Sequence, residues 1–183
     1  MKLRLAGLQQ DSIVDGPGIR FSIYVQGCPH HCAGCHNPET HDPLSGYEIN
    51  VSELLEIIEQ SSGIDGITIS GGEPFEQAAS LAALVFEVLK RELNLVIYSG
   101  FTFEELIQKS FADQNVRYLL QAGWLLIDGP FKVNEQDYNL PFRGSRNQRL
   151  VDLPRSLALN EAVEWSSEMN RAVKPPGRGS KTG

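Results

Sequence analysis

Three cysteines, Cys28, Cys32 and Cys35, are the only ones in the chain, and they fall within eight consecutive residues. An odd number of thiols so closely spaced makes a poor disulfide framework and a good soft-metal site. The pattern C-x3-C-x2-C, with Gly27, Pro29 and Gly34 supplying turns, lets one loop wrap a single metal centre with its sulfurs inward. Three ligands leave a fourth position open. In a structural zinc site that position falls to His30, His31 or His36, a Cys3His set. In a cubane iron–sulfur cluster one iron stays free for another molecule, whereas a pure electron-transfer cluster normally has four protein ligands. The bland alternative is three buried thiols with no common partner.

A second constellation is Gly71-Gly72-Glu73-Pro74, where a short apolar run ends and a helical pattern begins. Ligands bind α/β sheets at such places. Two glycines admit close approach to the backbone, and Glu73 offers a carboxylate suited to an ammonium group. A Gly-Gly turn ahead of a Pro-started helix is also an ordinary structural device. The pairing of the two constellations carries the weight, because parallel neighbouring strands would open both onto one carboxyl edge of a sheet.

The elements that must position them are legible in outline. Residues 19–26 alternate and are rich in β-branched and aromatic types, so they read as a strand running into the cysteine loop. Asn50 with Glu53 opens an amphipathic helix carrying Val51, Leu54, Leu55 and Ile58 on one face. Residues 66–70 are a short buried strand, and Leu81, Leu84, Val85, Val88 and Leu89 mark a second helix. A strand over 95–99, a helix opened by Thr102 and Glu105, and a strand over 124–128 follow. Residues 150–165 read as a loop with an edge strand around 162–165. Strands alternating with helices imply parallel βαβ units with right-handed crossovers, too few for a closed eightfold barrel. The expected fold is therefore α/β, an open partial (β/α) barrel with parallel strands.

Length and composition, 183 residues with 41% apolar and 21% charged, suit one domain, expected over 1–169. Residues 170–183 lack apolar periodicity and are expected to be a disordered tail. Net charge is −7, which argues against nucleic acid as a partner, because a phosphate backbone demands a positive surface. The imbalance is uneven: residues 1–142 hold 19 acids and 8 bases, and 143–183 hold 4 acids and 8 bases. The apolar runs at 95–98 and 124–127 fall far short of the roughly 20 residues that span a bilayer, so no membrane partner is expected. Gln9, Gln10 and Asp11 interrupt the N-terminal segment where a secretory signal needs an apolar core, so the expected location is cytoplasmic.

The cysteine loop and the Gly-Gly-Glu-Pro turn together resemble radical S-adenosylmethionine enzymes. Asp15-Gly16-Pro17-Gly18-Ile19-Arg20, Gln26-Gly27-Cys28 and Cys35-His36-Asn37-Pro38-Glu39-Thr40 are similar to the glycyl-radical-activating enzymes among them. Ile127-Asp128-Gly129-Pro130-Phe131 and Phe142-Arg143-Gly144-Ser145-Arg146-Asn147-Gln148-Arg149 resemble the activating proteins of anaerobic ribonucleotide reductases. The resemblance covers about residues 5–165.

It implies a [4Fe-4S] cluster on Cys28, Cys32 and Cys35 whose fourth iron is chelated by S-adenosyl-L-methionine. Gly71, Gly72, Glu73 and Pro74 would then receive the methionyl amino group. Many relatives carry an adenine-contacting aromatic residue where this chain has Gly34, so Gly34 and His36 are expected beside the cofactor without that contact. Ser99 would line the ribose and Asp128 would lie near the sulfonium or a bound cation, although a turn and an ordinary strand-end aspartate are the plain alternatives. Arg143, Arg146 and Asn147 are expected at the partner surface rather than in a merely solvated loop, and Trp124 and Trp165 read as packing residues. A side chain at Gly72 is expected to obstruct the cofactor while leaving the metal site intact.

The implied activity begins with an electron from a flavodoxin- or ferredoxin-like donor. Reductive cleavage of S-adenosylmethionine yields methionine and a 5′-deoxyadenosyl radical, which takes hydrogen from a glycine of the anaerobic ribonucleotide reductase catalytic subunit. No triad, P-loop or dinucleotide fingerprint competes with this reading. The alternatives are a small-molecule radical enzyme of the deazapurine-synthesis type and a non-catalytic, zinc-stabilised interaction module.

Overall fold

The computed structural model describes residues 1–166, and the tail expected over 170–183 lies outside the described residues. The strands are β1 (Lys2–Ser12), β2 (Arg20–Val25), β3 (Tyr47–Asn50), β4 (Gly66–Gly71), β5 (Asn94–Tyr98), β6 (Leu125–Asp128) and β7 (Arg149–Asp152). The helices are α1 (Val51–Gln60), α2 (Ala78–Leu89), α3 (Phe103–Ala112), α4 (Gln114–Ala122) and α5 (Leu153–Leu159). All the strands join one sheet in the order β3-β1-β2-β4-β5-β6-β7.

The strands expected from the sequence, β2, β4, β5 and β6, form its parallel centre. The wholly parallel arrangement is corrected at both edges, where β1, β3 and β7 pair antiparallel. Residues 13–19 alone join β1 to β2, and a parallel crossover needs a dozen or more. The longer link from β6 to β7 contains only a short 3-10 turn, Val133–Glu135, and no α-helix to carry a crossover. Strand β1 escapes a sequence reading because register shifts between Leu5 and Gly7 and between Gln9 and Ser12 break its alternation. The expected edge strand near 162–165 is reduced to one bridge, Val151 to Glu164, and β7 and α5 occupy much of the segment before it.

Helix starts follow the capping logic. The Glu53 carboxylate accepts from the Asn50 backbone N–H at the start of α1, and Glu105 accepts from that of Thr102 at the start of α3. The single helix expected after Thr102 divides at Asp113, which ends α3 and caps α4 by accepting from the Asn115 N–H.

Strand alternation gives the sheet two unlike faces. Phe21, Ile23, Ile67, Ile69, Leu95, Ile97 and Leu126 belong to the large core shared with the helices. Each such fully buried side chain contributes roughly 1.5–3 kcal/mol by leaving water. On the other face Val96, Leu125, Ile127 and Leu150 form a small cluster with Trp124 and Trp165, whose rings meet edge to face at 5.8 Å. Toward β2 and β4 that face turns polar, with Ser22, Tyr24, Thr68 and Ser70 at the alternate positions. The β1–β2 loop lies across it, where the Thr68 hydroxyl donates to the Asp15 carbonyl at 2.8 Å. Arg20 is fully buried there and donates to Thr68 Oγ1 and to the carbonyls of Ile67 and Asn94, joining the starts of three strands. Desolvation lowers its pKa to about 10.

Candidate metal and cofactor site

Beyond β2 the chain makes a closed loop. The Gln26 side chain donates to the carbonyls of Glu39 and Asp42 at 2.8 and 2.7 Å. Gly27 N–H donates to the Thr40 carbonyl at 2.8 Å, and Cys28 N–H to the His41 carbonyl at 3.2 Å. Within this ring the Cys35 N–H donates back to the Cys32 carbonyl at 3.1 Å. Tight reversals of this kind turn all three thiols toward one cavity of about 670 Å³, where each is half-buried.

The parallel register of β2 and β4 pairs Val25 with Gly71, so the next turn lies directly against the cysteine loop. Gly71 has φ +95°, and Gly72 and Glu73 N–H groups donate to the carbonyls of Val25 and Gly27 at 2.7 and 2.8 Å. Ser70, Gly71, Gly72, Ser99 and Gly100 line the same cavity as the cysteines, as the paired-edge argument requires. His36 and Arg143 also lie on its wall.

Other expected site residues stand elsewhere. Glu73 is 1% exposed, and its carboxylate is occupied by donors of the chain itself. It accepts from Phe75 N–H at 3.1 Å, Gly100 N–H at 2.8 Å, the Ser99 hydroxyl at 3.0 Å and His30 Nε2 at 3.0 Å. The carboxylate expected to meet an ammonium group is thus a brace beneath the turn, and the cavity wall there is glycine backbone. Pro74 is buried behind it as the first residue of a short 3-10 turn.

Asp128, at the end of β6, is paired with Arg149. The Arg149 guanidinium donates to Asp128 Oδ1 at 3.0 Å and to Glu104 Oε2 at 2.7 Å, while the Phe103 N–H at the start of α3 donates to Asp128 Oδ2 at 2.7 Å. Hydrogen bonds to Asp128 and Glu104 raise the Arg149 pKa further. Asp128 lines a neighbouring cavity of about 520 Å³ together with Asn147. Asn147 is bound within its own loop through the Pro130 carbonyl at 2.8 Å, and Arg146 is 69% exposed against Asp137. Gly34 sits within the cysteine loop, where a β-carbon would come within 3.3 Å of Val133 and 3.5 Å of Phe131. Its φ of +73° is one that side-chain-bearing residues rarely adopt.

The folded chain adds residues that the sequence pattern did not single out for the site. Phe131 lines the cavity and packs on His36 with ring centres 4.9 Å apart. Tyr98 directly precedes Ser99, and burial raises its pKa. One oxygen of Asp15 accepts from the hydroxyls of Ser12, Ser22 and Tyr24 at 2.6, 2.7 and 2.7 Å. Burial, reinforced by the Asp15 bond, pushes the Tyr24 phenol up to about 12. The Asp15-Gly16-Pro17-Gly18 run was available as a signal, but it gave no hint that its carboxylate would face the cavity.

The thiol set fits a cubane cluster. Among the described residues no three His, Cys, Asp or Glu side chains converge as donors on one ion. Cys28, Cys32 and Cys35 share one cavity wall, and three thiolates are the donor type a 4Fe-4S cluster takes while leaving one iron without a protein ligand. Desolvation raises the Cys28 thiol, and bound irons would reverse this by stabilising the thiolate.

Comparison with known proteins agrees with this geometry. A profile of the 4Fe-4S single cluster domain family matches residues 14–151. The anaerobic ribonucleoside-triphosphate reductase-activating protein of Vibrio cholerae is 31% identical over 144 residues, covering 74% of this chain and 89% of that protein. Its counterpart in Enterobacteria phage T4 is 32% identical over 143 residues, covering 75% and 86%. The pyruvate formate-lyase-activating enzyme of Clostridium pasteurianum is 28% identical over 147 residues, covering 74% of this chain and 61% of that enzyme.

Proposed function

The chain belongs to the 4Fe-4S single cluster domain family and to the anaerobic ribonucleoside-triphosphate reductase-activating proteins, and on that premise we propose that it installs a glycyl radical on such a reductase. The observation that carries this reading is the shared cavity wall of Cys28, Cys32, Cys35, Gly71 and Gly72. The three thiolates hold a [4Fe-4S] cluster, and the backbone of Gly71 and Gly72 receives the methionyl end of S-adenosylmethionine. When bound and reduced, the pair supplies a carbon radical able to take hydrogen from a glycine of the partner. The protein's own part is to position both groups and to limit water at them. Ser99, Gly100 and Phe131, on the same wall, are assigned to the nucleoside.

Helices cover one face of the sheet, and a polar face looks into the cavity, which supports an open partial barrel of the radical S-adenosylmethionine type. We read residues 1–169 as its single domain. No helix among the described residues is long and apolar enough to cross a membrane, and we assign the protein to the cytoplasm. The electron donor is a flavodoxin- or ferredoxin-like protein. Arg143 and Arg146 are assigned to the reductase-facing side, Arg146 from its exposed position on the loop and Arg143 from the cavity wall.

The deciding experiment is anaerobic reconstitution with iron and sulfide, followed by electron paramagnetic resonance with S-adenosylmethionine, a reductant and the co-occurring reductase. About four irons per chain and a glycyl-radical doublet on the reductase are expected. Cleavage of S-adenosylmethionine with no radical on the reductase would move the assignment to a small-molecule substrate. About one zinc per chain and no cleavage would leave a zinc-stabilised module.

A further inference from the structure

Between Cys28 and Cys32, His30 leaves the cysteine loop and reaches across to the next strand's turn. Its Nε2 lies 3.0 Å from the Glu73 carboxylate, and its ring stands edge-on to Phe101 with centres 4.4 Å apart. The carboxylate acceptor requires the proton on Nε2. Glu73 is in turn held by Phe75, Ser99 and Gly100, so one buried carboxylate joins the cysteine loop to the ends of β4 and β5. The site is shaped for this ring. A β-carbon at Gly100 would sit 2.3 Å from His30 Cδ2 and 2.6 Å from Nε2.

We propose that His30 is a positioning residue whose hydrogen bond to Glu73 sets the placement of the cluster-binding loop relative to the Gly71-Gly72 turn, and through it the affinity for S-adenosylmethionine. The inference rests on the function proposed above. Its physical basis is geometric. A ligand bridging an iron and a backbone turn meets both partners only when their separation is held, and a misplacement of about 1 Å can cost a hundredfold in a reaction. His30 contributes no ligand in this reading, because three thiolates already leave the open iron to the cofactor. Its bond should therefore govern cofactor binding and leave iron uptake alone.

The test compares His30→Phe, which keeps a ring against Phe101 and removes the donor, with His30→Gln, whose side-chain amide can donate from a similar position. Both are reconstituted anaerobically and read by iron content, by calorimetric titration with S-adenosylmethionine, and by the change in the reduced-cluster resonance when the cofactor is added. Full iron in both is expected, with affinity down about tenfold and a diminished resonance change in His30→Phe, the scale of one charge-assisted hydrogen bond. His30→Gln should recover most of both. Wild-type affinity in His30→Phe, or a loss in His30→Gln that His30→Phe lacks, overturns the proposal, the latter by assigning the effect to ring packing. Loss of iron in both variants overturns it as well and makes His30 a support of the metal site itself. If the wild-type protein fails to bind the cofactor, the underlying functional reading has failed instead.

Discussion

Replacing Gly72 by alanine tests how closely the cysteine loop and the Gly-Gly turn are fitted. A β-carbon there would lie 2.3 Å from the Gly27 carbonyl oxygen, 2.9 Å from its carbon and 3.1 Å from its nitrogen. These are backbone atoms, so no flexible side chain can swing aside. Reaching ordinary contact requires a shift of roughly 1 Å, since non-bonded carbon contacts lie near 3.5–4.0 Å. The affected backbone is anchored by Glu73 N–H on the Gly27 carbonyl and Gly27 N–H on the Thr40 carbonyl, both at 2.8 Å. Overpacking of this kind costs about 1–3 kcal/mol, and a strained hydrogen bond adds about 1 kcal/mol. The sum of about 2–4 kcal/mol corresponds to a melting temperature roughly 5–15 °C lower in a chain of this size. Because Cys28 follows Gly27 directly, iron retention should fall together with cofactor affinity, which differs from the sequence-based expectation of an untouched metal site. Thermal melting of the apoprotein and iron analysis after reconstitution measure the two effects. Gly7→Ala serves as control, because a β-carbon at that position would meet nothing within 4 Å. A Gly72→Ala protein that melts with the wild type and holds full iron would refute the reasoning.

Four further outcomes are expected. Cys32→Ser should lose the cluster and reductive cleavage of S-adenosylmethionine together, while apoprotein stability changes by less than about 1 kcal/mol, checked by iron analysis, product assay and urea melts. Arg149→Leu leaves the Asp128 carboxylate, 1% exposed, with the Phe103 N–H as its remaining donor among the described residues, and should destabilise by about 2–3 kcal/mol in urea titration. That lies below the figure for a fully buried pair because Arg149 is 39% exposed, and adding Asp128→Asn should restore part of the loss. The Tyr24 phenol ionises near pH 10 unfolded and about 12 folded, so its contribution is complete below pH 10 and is lost as pH rises toward 12. Chemical denaturation across that window should show a shallower fall for Tyr24→Phe. Arg146→Glu removes a 69% exposed charge and should leave stability and uncoupled cofactor cleavage unchanged, while weakening activation of the reductase in a salt-dependent way.

The cysteine triad, the Gly-Gly turn and the parallel centre β2, β4, β5 and β6 were legible without coordinates, because each is written in residues close together in the chain. Thiol spacing limits what a loop can hold, glycine marks where backbone must be approached, and alternation or 3.6-residue periodicity reports burial over a few turns. The capping pairs Asn50 with Glu53 and Thr102 with Glu105 are equally local, and they start helices where expected.

Tertiary structure alone decided which charged groups remain free. Sequence offered Glu73 to an ammonium group and Asp128 to a sulfonium or cation, yet both are buried and bound by residues that include the distant His30 and Arg149. Gly72 is dictated by contact with Gly27, forty-five positions earlier, as well as by its place on the cavity wall. Edge strands β1 and β7 were equally obscure, the first because its register shifts erase the period of two and the second because it is only Arg149–Asp152. A side chain's type determines what it can bind. Whether that capacity is left for a ligand or consumed within the fold depends on neighbours brought together by the sheet, and the spacing of residues along the chain does not encode that outcome.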